Sequence, residues 1–327
     1  MRTAENRRGF AIAVAWPATY CKEPGDWYDP VTRWLGVNRY NYYRAGHAAL
    51  VLIDIDNKQC HYFDFGRYHS PLWHGRVRSG VTDHDLEIRT VPVISEDGHS
   101  IENFREILEE LQQNAACHGE GKLYASYVAV NFQLTHQKAL EMQLASPLSY
   151  GPFVRGGSNC SRFVNTVIRA GRPGLKQALR LKYLVPLTPT PLNNVNSLQH
   201  RTVLPVMRST VPFTPFRRLN REELLSTLPQ PEKHPGIPGG AQWLSGEGAG
   251  SWFVFDAGEG ALKVTRYSPD GKVECRGLYE GAGISHVTSG GHFTVDYPSD
   301  CEKILLKNGI RKIRFTRVKG DNRKDPI

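Results

Sequence analysis

Residues 156 to 171 read Gly-Gly-Ser-Asn-Cys-Ser-Arg-Phe-Val-Asn-Thr-Val-Ile-Arg-Ala-Gly. The two glycines predict a loop, and Ser158 or Asn159 is a good N-cap for the amphipathic helix that follows. The helix ends at Gly171, a residue type that commonly follows a last turn. Its apolar face consists of Phe163, Val164, Val167 and Ile168. This pattern places Cys160 in the first turn of a helix that is packed on one side.

Cys160 is the candidate nucleophile of this stretch. At the N-terminus of a helix the dipole stabilises a thiolate, and free backbone N–H groups can face a developing oxyanion. The alternative is that Cys160 is a small buried core residue, because free cysteine is among the most buried residue types. The flanking Gly, Ser and Asn residues favour the functional interpretation.

A cysteine nucleophile needs a base, and His47 is the candidate among twelve histidines. It follows Gly46 at the start of a run of aliphatic residues, 46–55, which predicts a strand; the turn at 56–58 and residues 60–65 complete a hairpin. A strand can hold an imidazole rigidly, and the glycine leaves room beside it. Judged from the strand alone, a surface histidine at a strand end is equally compatible with the pattern.

A third polar residue would orient the imidazole. If Ile55 pairs with Cys60, Asp64 shares a face of the hairpin with His47, whereas His61 points the other way unless a bulge intervenes. Asp64 is therefore the candidate orienting residue and His61 the alternative. A salt bridge from Asp64 to the nearby Arg67 is a structural explanation of the same residue.

These motifs resemble the circularly permuted papain-like enzymes. The similarity rests on Gly46-His-Ala-Ala-Leu-Val-Leu, on an acidic residue at the end of the next strand, and on Asn159-Cys-Ser-Arg-Phe-Val. Trp16-Pro17, Tyr62-Phe-Asp-Phe-Gly-Arg-Tyr68 and Arg76-Val-Arg78 also resemble an uncharacterised bacterial family of this kind. Related groups are the lecithin:retinol acyltransferases and the bacterial YiiX-type branch of the NlpC-like hydrolases. Tyr150 resembles the YiiX-type tyrosine that helps to bind the oxyanion. Gln59 stands where the acyltransferases have a second histidine, which argues against acyl transfer to lipid.

The resemblance covers about residues 9–171 and implies an α+β fold, a permuted papain-like domain with an antiparallel sheet packed on helices. Eleven of the 21 prolines lie between Pro173 and Pro238, so residues 172–240 are interpreted as a Pro-rich connector. Nine apolar residues in this segment predict that much of it packs on a domain: Leu184, Val185, Leu187, Val203, Leu204, Val206, Val211, Phe213 and Phe216. Short strands and hairpin turns at 269–271 and 308–309 predict a small all-β domain, 241–320.

Other local patterns complete the expected first domain. Ser100 is expected to cap a helix with an apolar face from Ile101 to Leu111, and Thr135 to open a helix that runs through Leu144. A strand is expected over residues 87–94. Asp83-His84-Asp85 has metal-ligand residue types without a partner set, so we interpret it as a solvated turn.

Composition limits the remaining possibilities. The 327 residues carry 41 basic and 32 acidic side chains, a net charge of +9, which favours anionic partners. The six cysteines include no CxxC pair, so free thiols in a reducing compartment are expected, with no metal and no cofactor. The apolar run 10–16 is only about seven residues long, too short for a signal peptide, and no segment could span a bilayer. A cytoplasmic protein is the expectation, with a non-classical export route left open.

Two functions remain. The first is a thiol hydrolase of an amide or ester bond, in which Cys160 attacks, His47 moves the proton, Asp64 orients His47 and Tyr150 helps to bind the oxyanion. The resemblance implies a peptide, a cell-wall fragment or an acyl compound as the substrate. The second is a non-catalytic papain-like module whose basic β-domain holds an anionic partner; residues 303–324 carry nine basic side chains. No nucleic acid is expected as a partner, because no aromatic platform is evident.

Overall fold

The computed structural model describes residues 9–34, 36, 38–208, 212–258, 260–288 and 292–318. Its strands are, in chain order, β1 (Gly9–Trp16), β2 (Cys21–Lys22), β3 (Asn38–Arg39), β4 (Tyr42–Tyr43), β5 (His47–Asp54), β6 (Gln59–Gly66), β7 (His74–Ser79), β8 (Leu123–Val130), β9 (Leu148–Ser149), β10 (Gln199–Leu204), β11 (Gln242–Leu244), β12 (Ser251–Ala257), β13 (Leu262–Tyr267), β14 (Val273–Glu280), β15 (Thr294–Asp296), β16 (Lys303–Asn308) and β17 (Arg311–Arg317). The α-helices are α1 (Asp29–Trp34), α2 (Phe104–Gln113), α3 (Phe132–Leu144), α4 (Cys160–Ala170), α5 (Leu175–Tyr183), α6 (Pro191–Ser197), α7 (Arg221–Leu224) and α8 (Ile284–Thr288).

The N-terminal sheet has the order β10-β8-β1-β5-β6-β7-β9. Its central strands β1 and β5 are buried at every position, because helices or loops cover both faces. Helices α3 and α4 contribute to the apolar core on one face, and α2 contributes to the core on the other. The expected α+β class with an antiparallel sheet is confirmed for this part of the chain.

The β5–β6 hairpin pairs Ala49 with Asp64 and Ile53 with Cys60. The expected pairing of Ile55 with Cys60 is wrong by two residues. Because side chains alternate with a period of two, this shift leaves every residue on the predicted face of the sheet. Asp64 is therefore on the same face as His47, as the hairpin pattern predicted.

Three local predictions in this part are wrong. Helix α2 begins at Phe104 rather than after Ser100, and α3 begins at Phe132, with Asn131 as its N-cap. Residues 87–93 form no strand, and Ile94 makes only an isolated bridge. The reason is that α2 satisfies the backbone of this segment. The Glu110 carboxylate accepts hydrogen bonds from the N–H groups of residues 89 and 90, at 2.7 and 2.9 Å.

The segment after α4 adds three helices, α5, α6 and α7, and the strand β10, which pairs with β8 at the edge of the N-terminal sheet. The boundary at residue 171 stays a prediction. Leu204 is buried as expected, but the expected packing is wrong for six of the other apolar residues, which are exposed: Leu184, Leu187, Val203, Val206, Phe213 and Phe216. The segment instead packs partly through its backbone, as where Lys22 donates to the carbonyl groups of Glu223 and Ser226. Val211 lies outside the described residues.

The C-terminal sheet has seven antiparallel strands in the order β11-β12-β13-β14-β17-β16-β15. Its first and last strands approach each other, and the Gln242 amide bridges them. It donates to the carbonyl of Phe293 at 2.8 Å and accepts from the N–H of Val295 at 2.7 Å. The sheet is thus a nearly closed barrel around an apolar core. The predicted hairpin turns are present, with Gly271 and Gly309 at positive φ. Residues 319–327, where the predicted domain and its basic tail end, lie outside the described residues.

Asp83 joins the two sheets. It accepts two hydrogen bonds of 2.7 Å from Arg76 and one of 2.9 Å from Arg266 on β13, which also binds Glu274 at 2.6 Å. The interpretation of Asp83-His84-Asp85 as a solvated turn is therefore wrong for Asp83, which is buried. Local sequence could not reveal this, because Arg266 lies 183 residues further along the chain.

Candidate active site

Cys160 is the first residue of helix α4. Asn159 is the N-cap, and its side chain accepts a 2.8 Å hydrogen bond from the N–H of Arg162. The cysteine is 6 % exposed and contacts the apolar core below the sheet. The predicted first-turn position of Cys160 is therefore what the structure shows. The N–H groups at the start of the helix have no partner within the helix and can receive a developing negative charge.

His47 begins strand β5, and its ring stacks on Trp16 with centroids 5.9 Å apart. Gly46 has a φ of +76°, and a Cβ there would lie 3.0 Å from the Trp16 carbonyl oxygen, so the turn before the histidine needs glycine. His47 Nε2 lies 3.2 Å from Asp64 Oδ2. Burial would lower the pKa of His47, but hydrogen bonds to Asp64 and to the Cys160 thiol raise it to about 9.

Asp64 is completely buried on β6. Arg78, its cross-strand neighbour on β7, donates from Nε to Oδ1 at 2.9 Å and from a terminal nitrogen to Oδ2 at 2.5 Å. Burial would raise the pKa of the carboxyl, but the Arg78 guanidinium and the hydrogen bond to His47 lower it. The structural explanation with Arg67 is wrong, since Arg67 binds Glu247 instead. The carboxylate is thus ionised and holds the imidazole.

The structure separates the alternative third residue from the site. His61 lies opposite Leu52, on the other face of β6 from Asp64, with its ring 5.1 Å from that of His136. Gln59 is exposed at the far end of the hairpin. The β5–β6 pairing is regular from Ala49 to Asp54, without the bulge that would have reversed the choice.

Tyr150 lies beside the start of helix α4. It forms an isolated parallel bridge with Ser158, and its ring stacks on Phe65 with centroids 5.9 Å apart. The guanidinium carbon of Arg67 is 4.7 Å from the ring centroid. Burial, followed by the neighbouring thiols of Cys21 and Cys160, raises the pKa of the phenol well above its usual value. The hydroxyl therefore stays protonated and can donate a hydrogen bond.

Further aromatic and charged residues surround the four candidate site residues, and the sequence pattern assigned them no role. Tyr68 meets the His47 ring edge to face, with centroids 6.3 Å apart, and lies under the Arg78 guanidinium at 4.0 Å. His118 stacks on Tyr68 at 4.5 Å, and burial lowers its pKa to about 3. The signal for Tyr68, Arg78 and Trp16 was present, because all three belong to stretches quoted for the permuted-papain resemblance. Nothing nearby in the sequence pointed to His118.

The C-terminal barrel contacts the rim of this site. Glu247 accepts a 2.6 Å hydrogen bond from Arg67, the residue that covers Tyr150, and a 2.9 Å bond from the N–H of Trp73. The stretch around Gly248 lies against Tyr68, because a Cβ on that glycine would meet the ring at 2.8 Å. A loop of the barrel therefore helps to fix Tyr68 directly and Tyr150 through Arg67.

Among the described residues, no group of three His, Cys, Asp or Glu side chains could hold a metal ion. All six cysteines are free. No described helix is long and apolar enough to cross a membrane.

Comparison with known proteins gives similarity for two regions. Residues 11–173 match the family model of Type VI secretion system effectors that are TseH-like, and residues 241–318 match that of the DUF6695 C-terminal domain. Among solved structures, the crystal structure of the Type VI secretion system effector TseH matches with 18 % identity and a TM-score of 0.39, covering 61 % of this chain and 99 % of that one. No curated protein matches.

The match of residues 11–173 corrects one expectation. A cytoplasmic location is wrong, because a family of Type VI secretion effectors implies secretion into target cells. The cytoplasmic expectation rested on the lack of a recognisable signal peptide, and the non-classical export route that was left open is the alternative that agrees with this match.

Proposed function

We propose that the protein is a cysteine hydrolase of the permuted papain-like type, with Cys160, His47 and Asp64 as its catalytic residues. The observation that carries the proposal is the buried 3.2 Å hydrogen bond between His47 and the Asp64 carboxylate, together with the Cys160 thiol at the start of α4, which is close enough to help raise the pKa of His47. With Nε2 directed at Asp64, Nδ1 is the ring nitrogen that serves the thiol. A nucleophile, a base and an orienting acid in this order are the components of thiol catalysis.

The reaction follows from these positions. The Cys160 thiolate forms a bond to the carbonyl carbon of the substrate, and the oxyanion is stabilised by N–H groups of the first turn of α4 and by the Tyr150 hydroxyl. The His47 imidazolium then gives its proton to the leaving amine or alcohol as the bond to the carbonyl carbon breaks. Water attacks the thioester while His47 takes its proton, and the carboxylic acid and the thiol are released.

An amide in a peptide or cell-wall fragment is the substrate class that we favour. The similarity of residues 11–173 to secreted effectors supports a target outside the producing cell. The strand that carries His47 precedes the helix that carries Cys160, which is the order of permuted papain-like hydrolases. Gln59 on the outer end of the hairpin supports hydrolysis over acyl transfer.

One observation favours the second candidate function, a non-catalytic binding module. Cys160 and His47 are only 6 % and 4 % exposed, so a substrate could reach the thiol only after Tyr68, Tyr150 or a neighbouring loop moves. A protein that used this fold only for binding would not need an accessible thiol, so the burial of Cys160 would not impair its function. The two functions differ in whether the thiol reacts.

Labelling with small thiol-directed electrophiles tests the proposal. We expect rapid modification of Cys160 in the wild type, none of that residue in Cys160→Ala, and slow modification in His47→Ala. Cys60→Ala is the matched control, because Cys60 is half-buried and lies away from the site. Equal labelling rates in wild type and His47→Ala would contradict catalysis by this pair. Digestion of purified peptidoglycan, followed by mass spectrometry of the fragments, then identifies the bond that is cut.

A further inference from the structure

The basic charge of this protein is concentrated in one quarter of the chain. Residues 142–221 contain twelve Lys and Arg residues and no Asp or Glu, whereas the rest of the chain has 29 basic and 32 acidic residues. The whole net positive charge therefore comes from this stretch. Helix α5 (Leu175–Tyr183) lies in the middle of it.

Helix α5 is buried on one side and exposes a stripe of apolar residues on the other. Gln177 and Leu181 are buried against the domain, and the Leu181 carbonyl accepts a 3.0 Å hydrogen bond from Asn165 on the Cys160 helix. Leu175, Leu179 and Tyr183 recur at every fourth residue and are 77 %, 47 % and 64 % exposed. At 3.6 residues per turn, this exposed stripe is centred about 180° from the buried pair. An amphipathic helix of a soluble domain normally presents polar residues on that side.

Basic side chains flank the exposed stripe on both sides. Lys176 and Arg180 lie along one edge, and Lys182 lies along the other, over the ring of Tyr183 at 4.8 Å. None of the three forms an ion pair with a described carboxylate, and the nearest acidic residues in sequence are Glu141 and Glu222. The apolar surface continues past the helix, because Leu184 and Leu187 are 67 % and 93 % exposed.

We propose that this face of α5, with Leu184 and Leu187, docks on the surface of an anionic phospholipid bilayer. An interfacial helix buries its aliphatic side chains about 5 to 10 Å into the boundary between headgroups and acyl chains, while Lys and Arg bind lipid phosphates. Helix α5 has both features: an apolar stripe in the middle that can enter the bilayer, and basic side chains on both edges that can reach the lipid phosphates. A nucleic acid would neutralise the basic edges but would leave the central leucines in water, because phosphate contacts need no apolar stripe.

The docking geometry leaves the rest of the domain free. The buried side of α5 faces α4 and α6, so the membrane would lie on the far side of α5 from the Cys160 helix. The protein would then be held at the envelope through a surface separate from the candidate active site. A loss of membrane binding would accordingly leave the reactivity of Cys160 unchanged.

Flotation of the full chain with vesicles tests the proposal. We expect binding to vesicles of phosphatidylcholine with about one-third phosphatidylglycerol, and little binding to pure phosphatidylcholine, with the difference declining as salt is raised. The double variant Lys176→Gln/Arg180→Gln should bind about 30-fold more weakly, at about fivefold for each charge removed near the surface. The double variant Leu175→Gln/Leu179→Gln should bind the vesicles at least about tenfold more weakly than the wild type.

Matched controls come from the opposite end of the chain. Lys307→Gln/Arg311→Gln removes two exposed charges on β16 and β17, and Ile310→Gln removes a fully exposed apolar side chain. Both should bind as the wild type does, and thermal unfolding should confirm that all variants are folded. Equal binding to charged and neutral vesicles, or equal losses in test and control variants, would overturn the proposal. So would the absence of vesicle binding together with binding to duplex DNA or to cell-wall polymers that depends on Lys176 and Arg180.

Discussion

Two buried histidines of this protein have opposite surroundings. His47, in the candidate active site, faces the Asp64 carboxylate, and its pKa is raised to about 9. His69, at the junction of the two sheets, accepts a 3.1 Å hydrogen bond from Arg76 at Nδ1 and contacts Ser251 Oγ at 2.7 Å. Burial and then the guanidinium groups around it lower the pKa of His69 well below its ordinary value.

The difference shows what separates a reactive from a structural buried histidine. Both side chains are removed from water, so burial alone would leave both neutral. An ionised partner of opposite sign makes His47 able to hold and release a proton, whereas like charges keep His69 as a fixed hydrogen-bonding link. The sign of the neighbouring charge, rather than the degree of burial, distinguishes the two sites.

Replacing the charge beside His47 should have the largest effect. In Asp64→Asn the imidazolium loses its partner, so we expect hydrolysis to fall about 1,000-fold or more. The pH at which activity declines should also move below 9, since the pKa of His47 is no longer raised by a carboxylate. Steady-state rates across pH check this, with Asp97→Asn on an exposed turn as the control. Unchanged activity with a correctly folded Asp64→Asn protein would contradict the role of Asp64.

Removing the carboxylate that holds the arginines around His69 should affect stability instead. Asp83→Asn removes a carboxylate that binds both Arg76 and Arg266, and a buried charge without its partner costs about 3 to 5 kcal/mol. Urea unfolding measures the loss. Glu109→Gln breaks an exposed pair with Arg105 and should cost at most about 1 kcal/mol. Equal small losses in the two variants would show that the junction network is not stabilising.

The two histidines should give opposite dependences of stability on pH. The pKa of His47 is raised, so its contribution is complete below about pH 6.5 and is lost as pH rises through about 9, a change of about 3 kcal/mol. The pKa of His69 is lowered, so its contribution is complete above about 6.5 and is lost as pH falls below that value. Unfolding measured across pH should show that His47→Gln no longer loses stability at high pH and that His69→Gln no longer loses stability at low pH. Identical profiles in the two variants would contradict the assignment.

The smallest effect is expected at the oxyanion. Tyr150→Phe should reduce hydrolysis about 10- to 100-fold, because backbone N–H groups of the Cys160 helix continue to bind the oxyanion. Alkylation of Cys160 by iodoacetamide should not change, since that reaction forms no oxyanion. Tyr183→Phe, an exposed tyrosine, is the control. Equal losses in hydrolysis and alkylation would mean that Tyr150 acts on the thiol and not on the carbonyl oxygen.

Much of the candidate site could be predicted because its signals are local. The position of Cys160 follows from a cap residue and an apolar periodicity within sixteen residues, and the shared face of His47 and Asp64 follows from the alternation of a single hairpin. The predicted face of Asp64 is correct despite the error of two residues in register, because side chains alternate between faces with a period of two. Residues 87–94 show the opposite case. Their pattern is typical of a strand, but residues 89 and 90 donate their N–H groups to the Glu110 carboxylate of α2 instead of to a neighbouring strand.

The start of the Cys160 helix and the face of the hairpin that carries the acid could be predicted from the sequence, because each depends on neighbours along the chain, whereas the α+β class was implied by the resemblance to permuted papain-like enzymes. The partners of Asp64, Arg67 and Asp83, by contrast, are set by the tertiary structure. Arg78 rather than Arg67 holds Asp64, Glu247 of the barrel holds Arg67, and Arg266 completes the network of Asp83. Residues up to 183 positions apart compete for these contacts, and electrostatic energy in a buried site depends on distance in space, which a linear pattern does not contain.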